Sequence, residues 1–130
     1  MVADALRGVP KRELLEPGRY EAETPEIQAV ARRRHADVDP DGLAASGYVV
    51  HTLEAALWAL ATSDDFRSGA LRVVNLGGDA DSTGAVYGQL AGAVYGQSGI
   101  PGRWLEQLTL RERILELADA LYDLAVQHAS

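Results

Sequence analysis

Glycine recurs at every fourth position in one uncharged stretch, and this spacing constrains the fold more than any other feature of the 130-residue sequence. The four residues, here called the glycine stripe, are Gly84, Gly88, Gly92 and Gly96. The stretch from Asp81 onward has helical spacing, yet a glycine inside a helix costs about 1 kcal/mol relative to alanine. A face without side chains is useful only where another backbone packs closely against it. We therefore expect this segment to be the central helix of a tightly packed bundle.

The other periodic segments also predict helices, because their apolar residues recur at helical spacing. Thr109 and Glu112 have the spacing of a capping box, which marks the start of the last helix. No segment alternates polar and apolar residues as a strand does. The predicted fold class is all-α, a compact bundle of about five to six helices. They cover about 24–35, 47–61, 64–76 and 81–96, and a last helix runs from Thr109 onward.

The first 23 residues differ from the rest in their helix-breaking content. Gly8, Pro10, Pro17 and Gly18 are spaced through them, so this segment is predicted to be largely irregular. A chain of this length can bury roughly two-thirds of its surface. We expect residues 1–130 to form a single domain.

Charge and composition narrow the classes of partner. The formal net charge is −7, which disfavours nucleic acid or an anionic membrane surface as the main partner. The chain has no cysteine, so disulfides and thiolate metal sites are excluded. An uncharged run over 82–102 has the length of a membrane span, but glutamines, glycines and a proline interrupt it. The N-terminus has no signal-peptide pattern, and we expect a cytoplasmic protein.

The residues that could carry chemistry are concentrated in one segment, 77–84, here called the acidic turn. Asp79 and Asp81 stand one residue apart, and the hydroxyl of Ser82 follows directly. These are hard oxygen donors, which Mg²⁺ and Mn²⁺ prefer. Such ions often bind only one or two carboxylates of a protein, because they retain several of their water ligands. The spacing therefore suggests a divalent-metal site.

The glycines of the acidic turn fit a binding role. Gly77 and Gly78 would let the backbone approach a bound substrate, and the next helix begins with N–H groups that can bind an anion. A calcium loop is excluded, because its twelfth position must be a bidentate Glu and is Leu90 here. The Asp, Ser and Thr side chains could instead merely cap the helix. The residues alone leave metal binding and capping open.

The two runs 75–84 and 89–96 together resemble the signature of the ADP-ribosylglycohydrolases. They have the sequences Asn-Leu-Gly-Gly-Asp-Ala-Asp-Ser-Thr-Gly and Gln-Leu-Ala-Gly-Ala-Val-Tyr-Gly. The segments 46–58 and 100–105 and the final helix are similar to the same family. The resemblance covers nearly the whole chain.

This resemblance implies an all-helical fold with a pair of Mg²⁺ or Mn²⁺ ions and an ADP-ribose-like substrate. It makes Asp79, Asp81 and Ser82 the metal ligands, with both aspartates catalytic. Residues near Gly47 and Tyr48 line the nucleotide pocket in the family. The implied activity is hydrolysis of an ADP-ribosyl glycosidic bond, or of a simpler phosphodiester or glycoside, by a metal-bound water.

One part of the family pattern is missing. The family's other ligands form a Thr-Asp-Asp type cluster in its N-terminal half, and the chain resembles only the second half. Asp64 and Asp65 look superficially similar but stand where the family is variable. We therefore expect a homodimer or a complex with a separately encoded first half. The alternative function is a non-catalytic ADP-ribose- or metal-binding module, or a subunit that completes a site with another chain.

The histidines and the basic run have simpler interpretations. His51 is predicted to be a hydrogen-bonded core residue, whereas His35 and His128 are expected to face solvent. The arginines at 32–34 are expected to form a solvated helix end.

Overall fold

The structure is a computed structural model that describes residues 1–43 and 48–129. Within those residues it contains α-helices, short 3-10 turns and no strand, so the all-α prediction is confirmed. Backbone contacts divide the chain into two compact units, the first being Met1–Ile100 and the second beginning at Pro101. The prediction of a single domain over 1–130 stays a prediction. The helices are α1 (Val2–Leu6), α2 (Lys11–Leu14), α3 (Pro25–Ala31), α4 (Val49–Ala61), α5 (Phe66–Asn75) and α6 (Ala80–Tyr95) in the first unit, and α7 (Gly102–Gln107) and α8 (Arg111–His128) in the second.

Two short helices lie in the segment that was predicted to be largely irregular. α1 and α2 together occupy part of residues 1–23, and the rest of that segment consists of turns and irregular backbone. Each short helix has a buried anchor, Ala5 in α1 and Leu14 in α2. Helices this short are marginal in isolation. Packing against the core, which the local sequence does not reveal, therefore accounts for the difference.

The core of the first unit is built around α4, whose residues 54–60 are all buried. α6 packs against α1, α4 and α5 and so holds the central position that was expected of it. Its contact face consists of Tyr87, Leu90 and Ala91, which are buried and spaced as one helical stripe.

The glycine stripe of α6 does not have the close backbone neighbour that was predicted. A methyl group placed on Gly88 or Gly92 would meet no atom within 4 Å outside its own helix, and one on Gly84 would be 3.8 Å from Val74 Cγ1. The close approach lies elsewhere, at Gly69 of α5, where an added Cβ would collide with the Tyr87 ring. The prediction of tight packing on the stripe is therefore wrong for this chain, because the neighbouring helices pack on a different face of α6.

The ends of α4 and α6 are joined by one ammonium group. Lys11 Nζ donates to the carbonyl oxygen of Leu60 at 3.2 Å and to the hydroxyl of Tyr95 at 3.1 Å. It also donates to the carbonyl oxygen of Ser63, which accepts from the Tyr95 hydroxyl at 3.2 Å as well. The C-terminal ends of the two helices therefore meet. Because the helices also pack along their length, they run in the same direction, and both N-termini lie at one end of the unit.

The second unit contains α7 and α8. α8 begins after Leu110, which has a left-handed φ of 58°, and no side chain caps its first turn. The predicted capping box of Thr109 and Glu112 is therefore wrong. Four apolar side chains along this helix are between 46% and 68% exposed; they are Ile114, Leu117, Leu121 and Leu124. Among the described residues, no helix is both long enough and apolar enough to span a membrane.

Candidate functional site

The acidic turn is shaped by two consecutive glycines. Gly77 and Gly78 have φ angles of 78° and 63°, in the left-handed region that L side chains rarely adopt. They end α5 and reverse the chain, so that α6 begins at Ala80 and returns alongside α5. The reversal leaves Asp79 at the N-cap of α6 and Asp81 and Ser82 in its first turn, all three exposed.

The side chain of Asp79 does not cap α6. Asp79 occupies the N-cap position, yet its carboxylate makes no capping hydrogen bond. The backbone carbonyl of Asp79 accepts instead, from the Thr83 N–H at 3.1 Å and from the Thr83 hydroxyl at 2.9 Å. Capping by the Asp79 side chain, the simpler interpretation, is therefore not found, whereas the Asp81 carboxylate accepts from the Ser82 N–H in the first turn.

The two carboxylates lie close to each other. A hydrogen bond with the carboxyl of Asp79 lowers the pKa of Asp81, and the backbone N–H of Ser82 contributes in the same direction. Both groups also stand at the N-terminal end of α6, where the helix dipole favours negative charge. The acidic turn thus presents two converging carboxylates to solvent.

The oxygen donors of the acidic turn fit one divalent ion that keeps several waters, and not an ion whose ligands all come from the protein. Asp79 and Asp81 supply two carboxylates, and Ser82 adds a hydroxyl that is exposed. In residues 1–43 and 48–129 no group of three or more His, Asp or Glu side chains is arranged to hold a metal. Mg²⁺ commonly binds through one or two carboxylates and keeps its remaining waters. The residues present therefore fit a partly hydrated Mg²⁺ or Mn²⁺.

Tyr48 is at the same end of the unit as the acidic turn. It forms the N-cap of α4, its side chain is 48% exposed, and its ring lies edge-on to His51 with the centroids 5.3 Å apart. This placement follows because the N-termini of α4 and α6 lie at one end of the first unit. Gly47, the other residue predicted for the nucleotide pocket, lies outside the described residues.

Arg33 and Glu54 of α4 form an ion pair that the sequence analysis did not predict. Glu54 is buried, with only 5% of its side chain exposed, and Arg33 donates to its Oε1. Arg33, Glu54 and His51 line a cleft of about 620 Å³. The solvated position expected for the arginine run holds for all three residues at 32–34, which are exposed, and Arg33 in addition pairs with Glu54. A glutamate within an otherwise apolar helix was the available signal, since a buried carboxylate requires a cation.

The histidines also differ from expectation. His35 is buried at 5% exposure, which corrects the prediction that it faces solvent. His51 is partly buried, but its Nδ1 has no hydrogen-bond partner among the described residues, so the expected core hydrogen bond is not found at that atom. His128 is exposed, as expected. Asp65 accepts from the Ser68 N–H at 2.6 Å and caps α5, which accounts for its place in the chain without a ligand role.

The helices and the acidic turn define an all-helical protein with a carboxylate-bearing candidate site, and comparison with known proteins identifies its family. Residues 1–130 match the model of the ADP-ribosylglycohydrolase family, so the chain belongs to that family.

Individual relatives agree. The ADP-ribosylarginine hydrolase Tri1 of Pseudomonas putida (strain GB-1) is 42% identical over 95% of this chain and 33% of its own length. The ADP-ribosyl-[dinitrogen reductase] glycohydrolase of Rhodospirillum rubrum is 40% identical over 74% of this chain and 33% of its own. A chain in the solved structure of an ADP-ribosylglycohydrolase-related protein complex matches with a TM-score of 0.83 at 49% identity, over 94% of this chain and 43% of that one. The chain therefore spans about a third of the length of these curated relatives.

Proposed function

We propose that this chain binds a divalent ion at its acidic turn and contributes to hydrolysis of an ADP-ribosyl glycosidic bond. The observation that carries the proposal is the pair of neighbouring exposed carboxylates, Asp79 and Asp81, the first of which stands at the N-cap of α6 without capping it. The relatives named as ADP-ribosylarginine and ADP-ribosyl-dinitrogen-reductase hydrolases support an ADP-ribosylated side chain as the substrate.

The mechanism assigns each group of the turn a task. Asp79, Asp81 and Ser82 would hold one Mg²⁺ or Mn²⁺. When bound, the ion supplies Lewis-acid catalysis and makes a water molecule more acidic. The carboxylates also place negative charge near the sugar, which stabilises the positive charge that develops on the anomeric carbon as the glycosidic bond breaks. Water adds to that carbon, and the guanidino group leaves with a proton.

Substrate binding would use the surroundings of the turn. Gly77 and Gly78 are exposed and have no side chain, so a ribose can approach the backbone there. The exposed ring of Tyr48 offers a face on which a nucleotide base can stack.

We further propose that the active form includes a second polypeptide, either another copy or a separately encoded first half. Two carboxylates and one hydroxyl leave most coordination positions of an ion to other groups. The glycine stripe supports such a neighbour, because a methyl group on Gly88 or Gly92 would meet no atom within 4 Å outside its own helix. A non-catalytic ADP-ribose- or metal-binding module is the second candidate, favoured by the absence of a third acidic ligand among the described residues.

The deciding experiment offers the purified chain an ADP-ribosyl-arginine peptide and a generic phosphodiester, each with Mg²⁺, Mn²⁺ or chelator. The test variant is Asp79→Asn/Asp81→Asn, and the matched control is Asp119→Asn, an exposed aspartate of α8. Metal-dependent cleavage that the test variant loses and the control keeps supports the hydrolase. Metal binding without cleavage selects the binding module. A chain that shows neither metal binding nor cleavage would contradict the proposed site.

A further inference from the structure

The last helix, α8, carries a row of large apolar side chains that are exposed to solvent. The row, here called the α8 seam, is between 46% and 72% exposed at every position; its members are Leu110, Ile114, Leu117, Leu121 and Leu124. A helix of a soluble protein normally buries such a row against another element. Five exposed side chains of this size in one row therefore mark an interaction surface.

The spacing of the α8 seam indicates what kind of surface would cover it. Its members alternate at intervals of four and three residues, which is the narrow repeat of one helix packed along another. A helix that lies on a broad protein core has a wider apolar face. Ala118 and Ala120 flank the centre of the seam on its two sides, and their small side chains allow a second helix to approach closely. The seam therefore fits a single helix as its partner.

The charges of α8 indicate the direction of that partner helix. Arg111 and Arg113 stand in the first turn, whereas Asp119 and Asp123 stand farther along. A parallel copy of α8 would put like charges level with one another and would align the two helix dipoles, and both effects are unfavourable. An antiparallel copy puts the arginines of one helix level with the C-terminal half of the other, near Asp123. The charge pattern of α8 is therefore complementary to its own antiparallel copy.

We propose that α8 pairs in the antiparallel direction with α8 of a second copy of this chain. Full overlap of the two helices brings Leu117 of each copy against Leu121 of the other, and Ile114 of each copy against Leu124 of the other. The seam thus covers itself in one register. The inference builds on the second polypeptide proposed above, and it identifies that polypeptide as another copy.

The antiparallel pair also suits the rest of the chain. The two chains enter the pair at opposite ends, so the residues that precede α8 do not compete for the same space. The seam extends over about two heptads, fewer than the three or four of a sustained coiled coil. The pair is therefore weak by itself, and the loss of another contact between the copies, such as one at the glycine stripe, would also favour the monomer.

Single cysteines in the complete chain test the pair, because the sequence contains no other cysteine. Ala120→Cys puts the two thiols side by side at the centre of the pair, where a short bis-maleimide should join them into a covalent dimer. Asp119→Cys is the matched control; its position is adjacent but faces away from the seam, and it should cross-link at least fivefold less. Gln127→Cys lies in the same row as Ala120, one heptad later. Antiparallel copies hold its thiols about 24 Å apart along the helix axis, so it should also cross-link at least fivefold less.

The contribution of the seam is tested in the Ala120→Cys background. Leu121→Glu places a charge within the seam and should lower cross-linking at least fivefold. Tyr122→Glu places the same charge at the next residue, which is 69% exposed against 68% for Leu121 but lies off the seam. This control should cross-link as Ala120→Cys alone does. Circular dichroism should show the helix content of the parent in both variants.

Three results would overturn the proposal. The first is cross-linking of Ala120→Cys no greater than that of Asp119→Cys, which is the result expected if a different surface covers the seam. The second is equal cross-linking at Gln127→Cys and Ala120→Cys, which would indicate a parallel pair. The third is equal loss of cross-linking in Leu121→Glu and Tyr122→Glu. All reactions contain chelator and no substrate, so their failure leaves the hydrolase proposal standing, and a failure to hydrolyse leaves the helix pair standing.

Discussion

Single residues of the acidic turn determine what it can bind. Asp79 and Asp81 are exposed, and the lowered pKa of Asp81 keeps its carboxylate ionised well below neutral pH. An exposed, ionised carboxylate beside a second acidic side chain attracts a cation without any conformational change. Metal binding can therefore be tested most directly by replacing single residues of the acidic turn.

Asp81→Asn should weaken Mn²⁺ binding at least tenfold, because an amide oxygen replaces a charged ligand in a set of only three side chains. Mn²⁺ titration followed by electron paramagnetic resonance measures this, and circular dichroism should report unchanged helix content. Asp123→Asn, at an exposed aspartate of α8 that is not part of the acidic turn, removes the same charge and should bind as the parent does. Equal affinity in the parent and in Asp81→Asn would remove this residue from the site.

His35 should make the stability of the chain depend on pH. Burial lowers its pKa, and the charge of Glu54 opposes this only in part. The pKa of a histidine in the unfolded chain is about 6.5. Just below that pH the unfolded state therefore binds more protons than the folded state. The free energy of unfolding falls as the pH drops from there through the lowered pKa of the folded state. Urea unfolding at pH 7.5 and pH 5.0 should show a larger loss for the parent than for His35→Gln. Identical losses would mean that His35 is neutral or charged equally in both states.

Individual elements show which features of the fold were accessible from the sequence. The helix predicted over 81–96 is observed at Ala80–Tyr95, and the one predicted to stop at Gly77 ends at Asn75. Both follow from local patterns, apolar spacing and glycine. The burial of His35, the Arg33–Glu54 pair and the open glycine stripe depend on which segments meet in three dimensions. No local pattern contains that information, so these were missed.

Two glycine substitutions should have opposite effects on stability, which distinguishes the roles of the turn and the stripe. Gly77→Ala places a side chain at a φ of 78° and should destabilise the chain by about 1–2 kcal/mol. Gly88→Ala adds a methyl group that meets nothing within 4 Å, so improved helix propensity should stabilise the chain by about 0.5–1 kcal/mol. Urea denaturation measures both. Destabilisation by Gly88→Ala would reveal a close neighbour on the stripe.

At the scale of the whole molecule, the chain corresponds to one part of a longer family sequence, and the glycine stripe of its α6 helix is open. The chain matches relatives about three times its length, and a methyl group on Gly88 or Gly92 of the stripe would meet no atom within 4 Å outside its own helix. The family could be recognised from the sequence because its signature is local, whereas the metal and catalytic roles of Asp79, Asp81 and Ser82 stay predictions. Groups outside the turn that could complete a metal shell follow no local pattern, so the sequence does not predict them.

Association should therefore be measurable in solution. Light scattering during gel filtration should give a mass of about twice 13.9 kDa if another copy is the partner. Gly88→Leu should reduce that mass toward the monomer while its circular dichroism stays that of the parent, because leucine would obstruct a helix seated on the stripe. A monomer at every concentration would exclude the homodimer.

The contact of Lys11 with the ends of α4 and α6 has a practical consequence. It is the only lysine in the 130 residues, and its ammonium group is partly buried with three oxygen acceptors. Lysyl endopeptidase therefore has a single cleavage site, which is shielded while the N-terminal segment stays docked. The rate of cleavage after Lys11, compared with its rate in urea, reports how often that segment detaches. Cleavage after Lys11 therefore measures the local opening of the N-terminal segment without an added label.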